Sequence, residues 1–335
     1  MPEHATEILR VDLLNHPAVK AWGEVQPGRL GPKSIEILQQ HRKSAVYRLE
    51  GAGPGGSTII AKRCQSATAR IERAIYEQVL PCLPISAPQY YGFMEEDDKY
   101  CWLFLEDVGR QRFSPLIEEH RRVVGRWLAL MHTSAARVAA KVRLPDRGPN
   151  HYLEHLQSAR RAILYNLANP ALTADDVALL ETIVSQYNVL EWHWSELEKW
   201  CERMPPTLAH GDFRPKNIYL RADQASIGVF PLDWEMAGWG VPAADLAPAR
   251  GLHSAHQVNL MVYGSIVRDH WPSLDIQTIQ RLASVGTIFR RLAAISWESP
   301  VLTFDDCETL SEPLACLRVY QAELSEAIQL IPWAQ

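Results

Sequence analysis

The stretch His210-Gly211-Asp212-Phe213-Arg214-Pro215-Lys216-Asn217 decides how this chain of 335 residues is interpreted, and Asp233-Trp234-Glu235 begins sixteen residues after Asn217. Together the two segments place a carboxylate, a cation, an amide and a second carboxylate in one short region. Phosphoryl transfer from a nucleotide needs such a set, because one group orients the attacking hydroxyl, others hold magnesium and a cation meets the transferred phosphoryl group. Each residue alone also suits a loop or a turn. The combination therefore predicts a kinase.

Three side chains in this region have the chemistry for specific roles. Asp212 can accept the proton of a substrate hydroxyl as a general base. Asn217 offers an amide oxygen, which is a hard ligand suited to magnesium. Asp233 ends an apolar run, so its carboxylate is predicted to project from a strand end into a cleft. There it would bind a metal ion that bridges the nucleotide phosphates.

The composition is that of an ordinary globular protein, with 47% hydrophobic and 22% charged residues. The net charge of −5 argues against a protein that binds nucleic acid by neutralising phosphates. No run of eighteen apolar residues predicts a membrane span, and the N-terminus lacks the pattern of a secretory signal. The six cysteines contain no C-x-x-C pair and suit a reducing compartment. A cytoplasmic protein without nucleic-acid or membrane partners is expected.

Hydrophobic periodicity divides the chain into a β-rich part and a helical part. Strands are predicted over 34–38, 45–49 and 58–62 and around 89–92 and 100–105, with one helix over 66–80. Beyond Asp107, helices are predicted over 115–140, 151–168, 174–203, 254–270, 275–297 and 309–331, with short strands only around 207–233. The sequence thus predicts an α+β protein with a small β lobe, a larger helical lobe and a boundary near Glu106–Gly109.

These motifs resemble those of the aminoglycoside phosphotransferase and choline kinase family, which shares the protein-kinase fold. Residues 210–217 are similar to the family's H-G-D-x-x-x-x-N catalytic loop, and residues 233–235 to its D-[FW]-E metal motif. In the segments that resemble G-x-P-x-x-D-L-A and L-x-x-L-H, Asp245 and His132 would brace the catalytic loop. The resemblance implies a bilobal protein-kinase-like fold. It has a small antiparallel-sheet N-lobe with one helix over 1–107, a hinge about 104–109 and a mainly helical C-lobe over 108–335.

The resemblance also implies a nucleotide site in the N-lobe. Lys62 ends the predicted third strand, where the family carries the lysine that contacts the α- and β-phosphates, and its partner would be a glutamate on the next helix. Of Glu72 and Glu77, the helical wheel favours Glu72, which lies beside the apolar stripe. Adenine would hydrogen-bond to backbone near Glu106 and Val108, in a stretch that resembles the family hinge L-x-L-E-D.

The glycine-rich stretch Gly51–Gly56 is not predicted to hold phosphate. It lacks G-x-x-x-x-G-K-[ST] and opens no helix, so a hairpin turn is expected. The loop over the nucleotide would be the earlier connection, whose Ser44 and backbone N–H groups, with Arg42 or Lys43, could reach phosphate. A solvated basic turn explains these residues equally well.

The catalytic loop departs from the family pattern at Arg214 and Lys216. Arg214 lies two residues after Asp212, where serine/threonine protein kinases carry a lysine that contacts the γ-phosphate. Its planar, permanently charged guanidinium could do the same. Lys216 replaces a small residue, and no catalytic group is lost.

The substrate is less defined. Some tryptophans of the helical part could line a pocket for a ring or a quaternary ammonium, although large aromatic side chains usually lie in the core. The candidates are Trp192, Trp194, Trp200, Trp234, Trp239, Trp271 and Trp297. Acidic residues near the C-terminal end of the sequence could attract an amino sugar, although acidic loops usually lie at the solvated surface. These residues are Glu298, Asp305, Asp306, Glu308 and Glu312.

The resemblance implies a kinase that uses ATP and Mg²⁺ to phosphorylate a hydroxyl of a small molecule, cationic or aromatic, as a monomer or homodimer. An aminoglycoside acceptor would make it an antibiotic-resistance enzyme; choline, an amino alcohol or a sugar is the rival. A nucleotide-binding pseudokinase or scaffold is the alternative from another class. A protein kinase is disfavoured, because no A-P-E-like element and no long activation segment follow Asp233. The choice between ATP and GTP stays open.

Overall fold

The computed structural model describes residues 7–28, 31–41, 43–138, 141–223, 226–248 and 258–333. It divides the chain into two compact units, and each combines separate parts of the sequence. The first unit is Met1–Phe113 with Lys216–Met236, and the second is Ser114–Pro215 with Ala237–Gln335. The assignment of a nucleotide-binding lobe to 1–107 and a substrate-binding lobe to 108–335 stays a prediction.

An antiparallel sheet of six strands forms the frame of the first unit, in the order β1-β2-β3-β4-β6-β5. The strands are β1 (Ile8–Leu9), β2 (Ser34–Gln40), β3 (Ala45–Glu50), β4 (Ile59–Gln65), β5 (Tyr90–Glu95) and β6 (Tyr100–Glu106). Alternate residues of β3 are buried, as the period of two requires for a sheet with one covered face. The core on that face includes the fully buried Ile35, Leu49 and Ile59.

Two helices and a hairpin complete the first unit. Helix α1 (Pro17–Val25) buries Trp22 in the core of the sheet. Helix α2 (Ser66–Ala74) directly follows β4 and continues into a π-helical turn at Ile75–Val79, so the predicted helix over 66–80 is present in two parts. Strands β9 (Ile218–Ala222) and β10 (Ile227–Pro231) pair antiparallel.

The glycine-rich stretch joins β3 to its antiparallel partner β4, as predicted, and no helix follows it. Gly51, Gly55 and Gly56 have φ values of 78°, 63° and 77°, which side chains rarely adopt. The earlier connection joins β2 to β3, and the N–H of His41 donates to the carbonyl of Ser44 at 2.8 Å. Arg42 lies outside the described residues.

The second unit is mainly helical. Its helices are α3 (Glu118–Ala135), α4 (Pro149–Asn166), α5 (Ala174–Trp192), α6 (Trp194–Cys201), α7 (Ala243–Leu246), α8 (Leu260–His270), α9 (Ile276–Glu298) and α10 (Cys307–Gln329). A small sheet has the order β7-β11-β8, from β7 (Asp146–Arg147), β11 (Gly238–Gly240) and β8 (Thr207–Ala209). The α+β fold class predicted from the sequence is therefore confirmed.

Two predicted helices differ from the structure. The single helix predicted over 174–203 is wrong, because His193 leaves the helical conformation (φ −98°, ψ 15°) and separates α5 from α6. The helix predicted over 254–270 begins at Leu260 in the structure, and residues 249–257 lie outside the described part. Among the helices that the structure describes, none is long and apolar enough to span a membrane.

Candidate active site

An ion-pair cluster in the first unit is centred on Lys62. Its Nζ lies 2.5 Å from Oε1 of Glu72 and 2.7 Å from Oδ1 of Asp233. The sequence predicted that Lys62 ends its strand, which is wrong: β4 continues to Gln65 and pairs Lys62 with Leu103 of β6. Lys62 is thus held by strands on both sides, which limits its movement.

Helix α2 delivers the glutamate, because it starts immediately after β4 and packs one face on the unit. Glu72 lies on that face, and its side chain is 1% exposed. Glu77 instead pairs with Arg73 at the surface. Of the two glutamates considered from the sequence, Glu72 is therefore the one in contact with Lys62.

The charges of this cluster are mutually dependent. Burial works to lower the pKa of the Lys62 ammonium, but Glu72 and Asp233 outweigh it and raise that pKa well above its ordinary value. Burial raises the pKa of the Glu72 carboxyl to about 7, while the Lys62 charge opposes the rise. These shifts favour a charged Lys62, whereas burial disfavours the charge of Glu72 and only the Lys62 ammonium offsets that cost.

The β9–β10 hairpin brings Asn217 and Asp233 to the same end of the hairpin, because Asn217 precedes β9 and Asp233 follows β10. The N–H of Leu232 donates to the carbonyl of Asn217 at 2.8 Å and closes that end. Asp233 has a φ of 68°, in the left-handed region that costs a residue with a side chain about 1–2 kcal/mol. Such a conformation persists only where the surroundings impose it. Here the buried Trp234, whose indole N–H donates to the carbonyl of Pro231, anchors the turn.

The donor set near Asp233 fits a divalent cation. Glu72, Asp233 and Glu235 each offer a carboxylate oxygen, and these atoms lie within 4.8 Å of one another. Carboxylate oxygens are the hard ligands that magnesium prefers. Glu235 belongs to the motif that resembles the family's D-[FW]-E metal motif, but only Asn217 and Asp233 were predicted as metal ligands. The buried Asn217 lies in the same unit.

The predicted catalytic loop lies in the second unit up to Pro215, where Asp245 of α7 holds its start. The N–H groups of His210 and Gly211 donate to Asp245 at 2.7 and 3.0 Å. Asp245 is fully buried and also lies 3.4 Å from Nε2 of His132, whose Nδ1 contacts the hydroxyl of Tyr263 at 2.9 Å. The loop backbone is therefore held by a buried carboxylate that is itself held from α3 and α8.

Asp212 is clamped by arginines in this conformation. Nη2 of Arg214 lies 2.6 Å from Oδ2 of Asp212, and Nε of Arg214 pairs with Oδ1. Nη2 of Arg290, on α9, lies 3.8 Å from Oδ1. The two residues predicted as catalytic are thus in contact, whereas no motif of the sequence indicated Arg290. Lys216 is exposed.

Glu106 of the predicted hinge has structural partners within the first unit. The N–H of Glu106 donates to the carbonyl of Gln89, and the Glu106 carboxylate pairs with Arg221. Val108 is buried. The nucleotide contacts proposed for Glu106, Val108 and Ser44 stay predictions.

The tryptophans predicted as pocket candidates divide into several environments. Trp194 and Trp234 are buried, whereas Trp192 is 84% exposed. Trp239 and Trp271 line a cavity of about 720 Å³ in the second unit, whose wall also includes Asp146, Glu198, Glu202 and Arg203. Among the late acidic residues, Asp306 accepts from the N–H of Thr309 and caps α10.

Residues 34–273 match the sequence model of the phosphotransferase enzyme family. The chain belongs to this family. A segment covering 33% of the chain is 32% identical over 117 residues to acyl-CoA dehydrogenase family member 11 of Gallus gallus. That match spans only 14% of the length of the curated relative.

Solved structures show the same fold at low sequence identity. A mutant of aminoglycoside 2'-phosphotransferase IIIa in complex with GDP superposes with a TM-score of 0.63 at 16% identity, over 90% of this chain and 96% of that one. Choline kinase from Cryptosporidium parvum superposes with a TM-score of 0.56 at 13% identity, over 89% of this chain and 91% of that one. Spectinomycin phosphotransferase with ADP and spectinomycin gives 0.54 at 12%, over 89% and 93%. The resemblance stated from the motifs is therefore confirmed, as is the protein-kinase-like fold.

Proposed function

We propose that this phosphotransferase is a small-molecule kinase that transfers the γ-phosphoryl group of ATP to a hydroxyl of its acceptor. The observation that carries the proposal is the cluster of Lys62, Glu72 and Asp233, joined by contacts of 2.5 and 2.7 Å. A cation bridging two carboxylates is costly to assemble in a protein interior. A nucleotide-phosphate site gives it a use, because the lysine meets phosphate oxygens and the carboxylates meet a metal ion.

In this proposal the acceptor hydroxyl loses its proton to Asp212 as its oxygen bonds to the γ-phosphorus. The bond from that phosphorus to the bridging oxygen breaks, and ADP leaves with the electron pair. Arg214 leaves Asp212 and binds the oxygens of the transferred group through its planar guanidinium. Proton transfer to Asp212 and binding of the phosphoryl group by Arg214 both require that Asp212 keeps its position while Arg214 moves.

The nucleotide would contact residues of the first unit. Lys62, held by Glu72, would bind the α- and β-phosphates, Ser44 would approach the phosphates, and backbone near Glu106 and Val108 would bind adenine. Bound magnesium would neutralise phosphate charge. Its proposed ligands are Asn217 and Asp233, with Glu235 as a further carboxylate of the donor set.

The acceptor class is proposed as an aminoglycoside or another hydroxylated cation, which would make the protein a resistance enzyme. Choline, an amino alcohol or a sugar is the alternative. The structural relatives bear names from both groups. We propose a cytoplasmic monomer or homodimer that acts on small molecules and has no nucleic-acid or membrane partner.

A nucleotide-binding scaffold without turnover is the candidate from another class, and one experiment separates the two. Consumption of ATP is measured with and without Mg²⁺ across aminoglycosides, spectinomycin, choline, amino alcohols and sugars. Asp212→Asn is expected to lower turnover by about 10²–10⁴ while ATP binding persists, because only proton transfer is lost. Asp269→Asn, the same change at an exposed residue of α8, serves as the control. Binding of ATP without turnover on any acceptor would favour the scaffold, and an active Asp212→Asn would remove Asp212 as the base.

A further inference from the structure

Arg290 is a buried arginine in the middle of α9, and its guanidinium faces the catalytic loop. Its side chain is 7% exposed. Nη1 donates to the carbonyl of Phe213 and to the carbonyl of Ala247, both at 3.3 Å, while Nη2 lies 3.8 Å from Asp212. One side chain thus joins the residue after Asp212 to the residue after α7. Arginines are rarely buried unless they are paired in this way.

Helix α9 is built to approach this region closely. A Cβ atom at Gly286, one turn before Arg290, would lie 1.9 Å from the carbonyl oxygen of Ala243, so the backbones of α9 and α7 are in direct contact. Helix α7 also carries Asp245, which holds the start of the catalytic loop. Asp245 therefore accepts hydrogen bonds from the two N–H groups that precede Asp212 in the loop. Arg290 donates to the carbonyl of the residue that follows Asp212.

The charge of Arg290 survives its burial. Burial lowers the pKa of its guanidinium to about 10, and Asp212 opposes that change. The other charges around it are Arg291 and Arg214, which disfavour its charge, and Asp245, which favours it. A guanidinium with this pKa remains protonated at neutral pH.

We propose that Arg290 is a positioning residue for phosphoryl transfer, which keeps the Asp212 carboxylate ionised and in place when Arg214 leaves it. This inference rests on the proposed function. Asp212 is 11% exposed at its side chain, so solvent alone compensates little of its charge. At 3.8 Å, Arg290 stabilises that charge electrostatically, and its contact with Oδ1 is too long for a hydrogen bond that would compete with the acceptor hydroxyl.

The neighbour Arg291 offers a matched control. It is equally buried, at 5% exposed, but pairs with Glu323 of α10 at 2.7 Å. Lysine and methionine are introduced at each position. Turnover is followed as Mg²⁺-dependent hydrolysis of ATP by water, which needs no identified acceptor, and as transfer to any acceptor found active. Thermal unfolding reports whether each variant folds.

Arg290→Lys is expected to lower kcat about ten- to hundredfold with the KM for ATP unchanged, because one ammonium cannot reach both carbonyls and the carboxylate. Arg291→Lys should leave kcat within about threefold. In Arg290→Met, the acidic limb of the kcat–pH profile should move to higher pH, because the Asp212 carboxylate loses a neighbouring cation. Should Arg290→Met fail to fold, the two lysine variants decide.

Equal kcat values and equal pH profiles for the Arg290 and Arg291 variants, with an active wild type, would overturn this inference alone. A wild type that neither hydrolyses ATP nor transfers phosphate would instead overturn the proposed function, and the role of Arg290 with it. The two failures are thus distinguished by the wild-type activity.

Discussion

Lys62→Met should destabilise the protein strongly, because it removes the cation that lies between two carboxylates. Glu72 is 1% exposed and 2.5 Å from the Lys62 ammonium, so it cannot be solvated when that ammonium is gone. Asp233, at 2.7 Å from the same atom, then faces Glu72 with no charge between them. Removing one partner of a buried ion pair costs about 3–5 kcal/mol.

A loss of this size is easily measured. Domains of moderate size lose roughly 2–4 °C in Tm for each kcal/mol, so Tm should fall by roughly 6–20 °C. The double variant Lys62→Met/Glu72→Leu should recover more than half of the loss, because it removes the buried carboxylate together with its partner. Asp233 is 33% exposed and retains solvent.

The assay pairs thermal unfolding with ATP turnover. Both the single and the double variant should lack turnover, since Lys62 is the proposed phosphate anchor, so stability and activity separate in the double variant. Arg63→Met is the control, because it removes the cation of the next residue of β4. The ion pair of Arg63 with Glu96 is solvent-accessible and contributes at most about 1 kcal/mol to the free energy of unfolding. A Tm for Lys62→Met no lower than that of Arg63→Met, or a double variant no more stable than the single one, would refute the argument.

Two further predictions test the second unit. Gly286→Ala should lower stability by about 1–3 kcal/mol in thermal unfolding and reduce turnover, because its Cβ would meet the Ala243 carbonyl and force α9 from α7. Gly23→Ala, in α1 with no atom near the new Cβ, should instead stabilise by about 0.5–1 kcal/mol, and equal effects would contradict the packing argument. Burial, followed by the charge of Arg147, lowers the pKa of His151 from 6.5 to about 4, so the folded state binds fewer protons between these values. The stability from this shift is fully present above pH 6.5 and is lost as pH falls toward 4. Between about pH 7.5 and pH 5, His151→Gln should therefore lose less stability than wild type, by about 1–2 kcal/mol, where the lower value allows for the partial exposure of the imidazole. Parallel Tm–pH curves for the variant and the wild type would contradict this prediction.

The fold class and the family could be predicted because both depend on local patterns. Asp212, Arg214 and Asn217 lie within one loop, so their donor and acceptor types are visible in the sequence. Glu72 could be preferred over Glu77 because helical periodicity alone separates the two faces of α2. The period-two and period-3.6 patterns likewise separated the β-rich part from the helical part.

Errors in the prediction occurred where local signals compete. Lys62 was placed at a strand end, because the sequence shows no signal that pairing with β6 continues to Gln65. His193 interrupts a helix that the sequence pattern would continue. The break is hard to predict because no glycine or proline marks the end of the helix there. Both are decided by neighbours that are distant in sequence.

The sequence alone is enough to identify the family and the α+β architecture, since motif spacing and hydrophobic period are properties of short segments. Which charged side chains meet depends on the tertiary packing. Lys62 contacts Asp233 across 171 positions, and Arg290 reaches Phe213 across 77. The physical reason is burial: a charged side chain removed from water must find a partner, and that partner is selected by the packing of helices and strands in space.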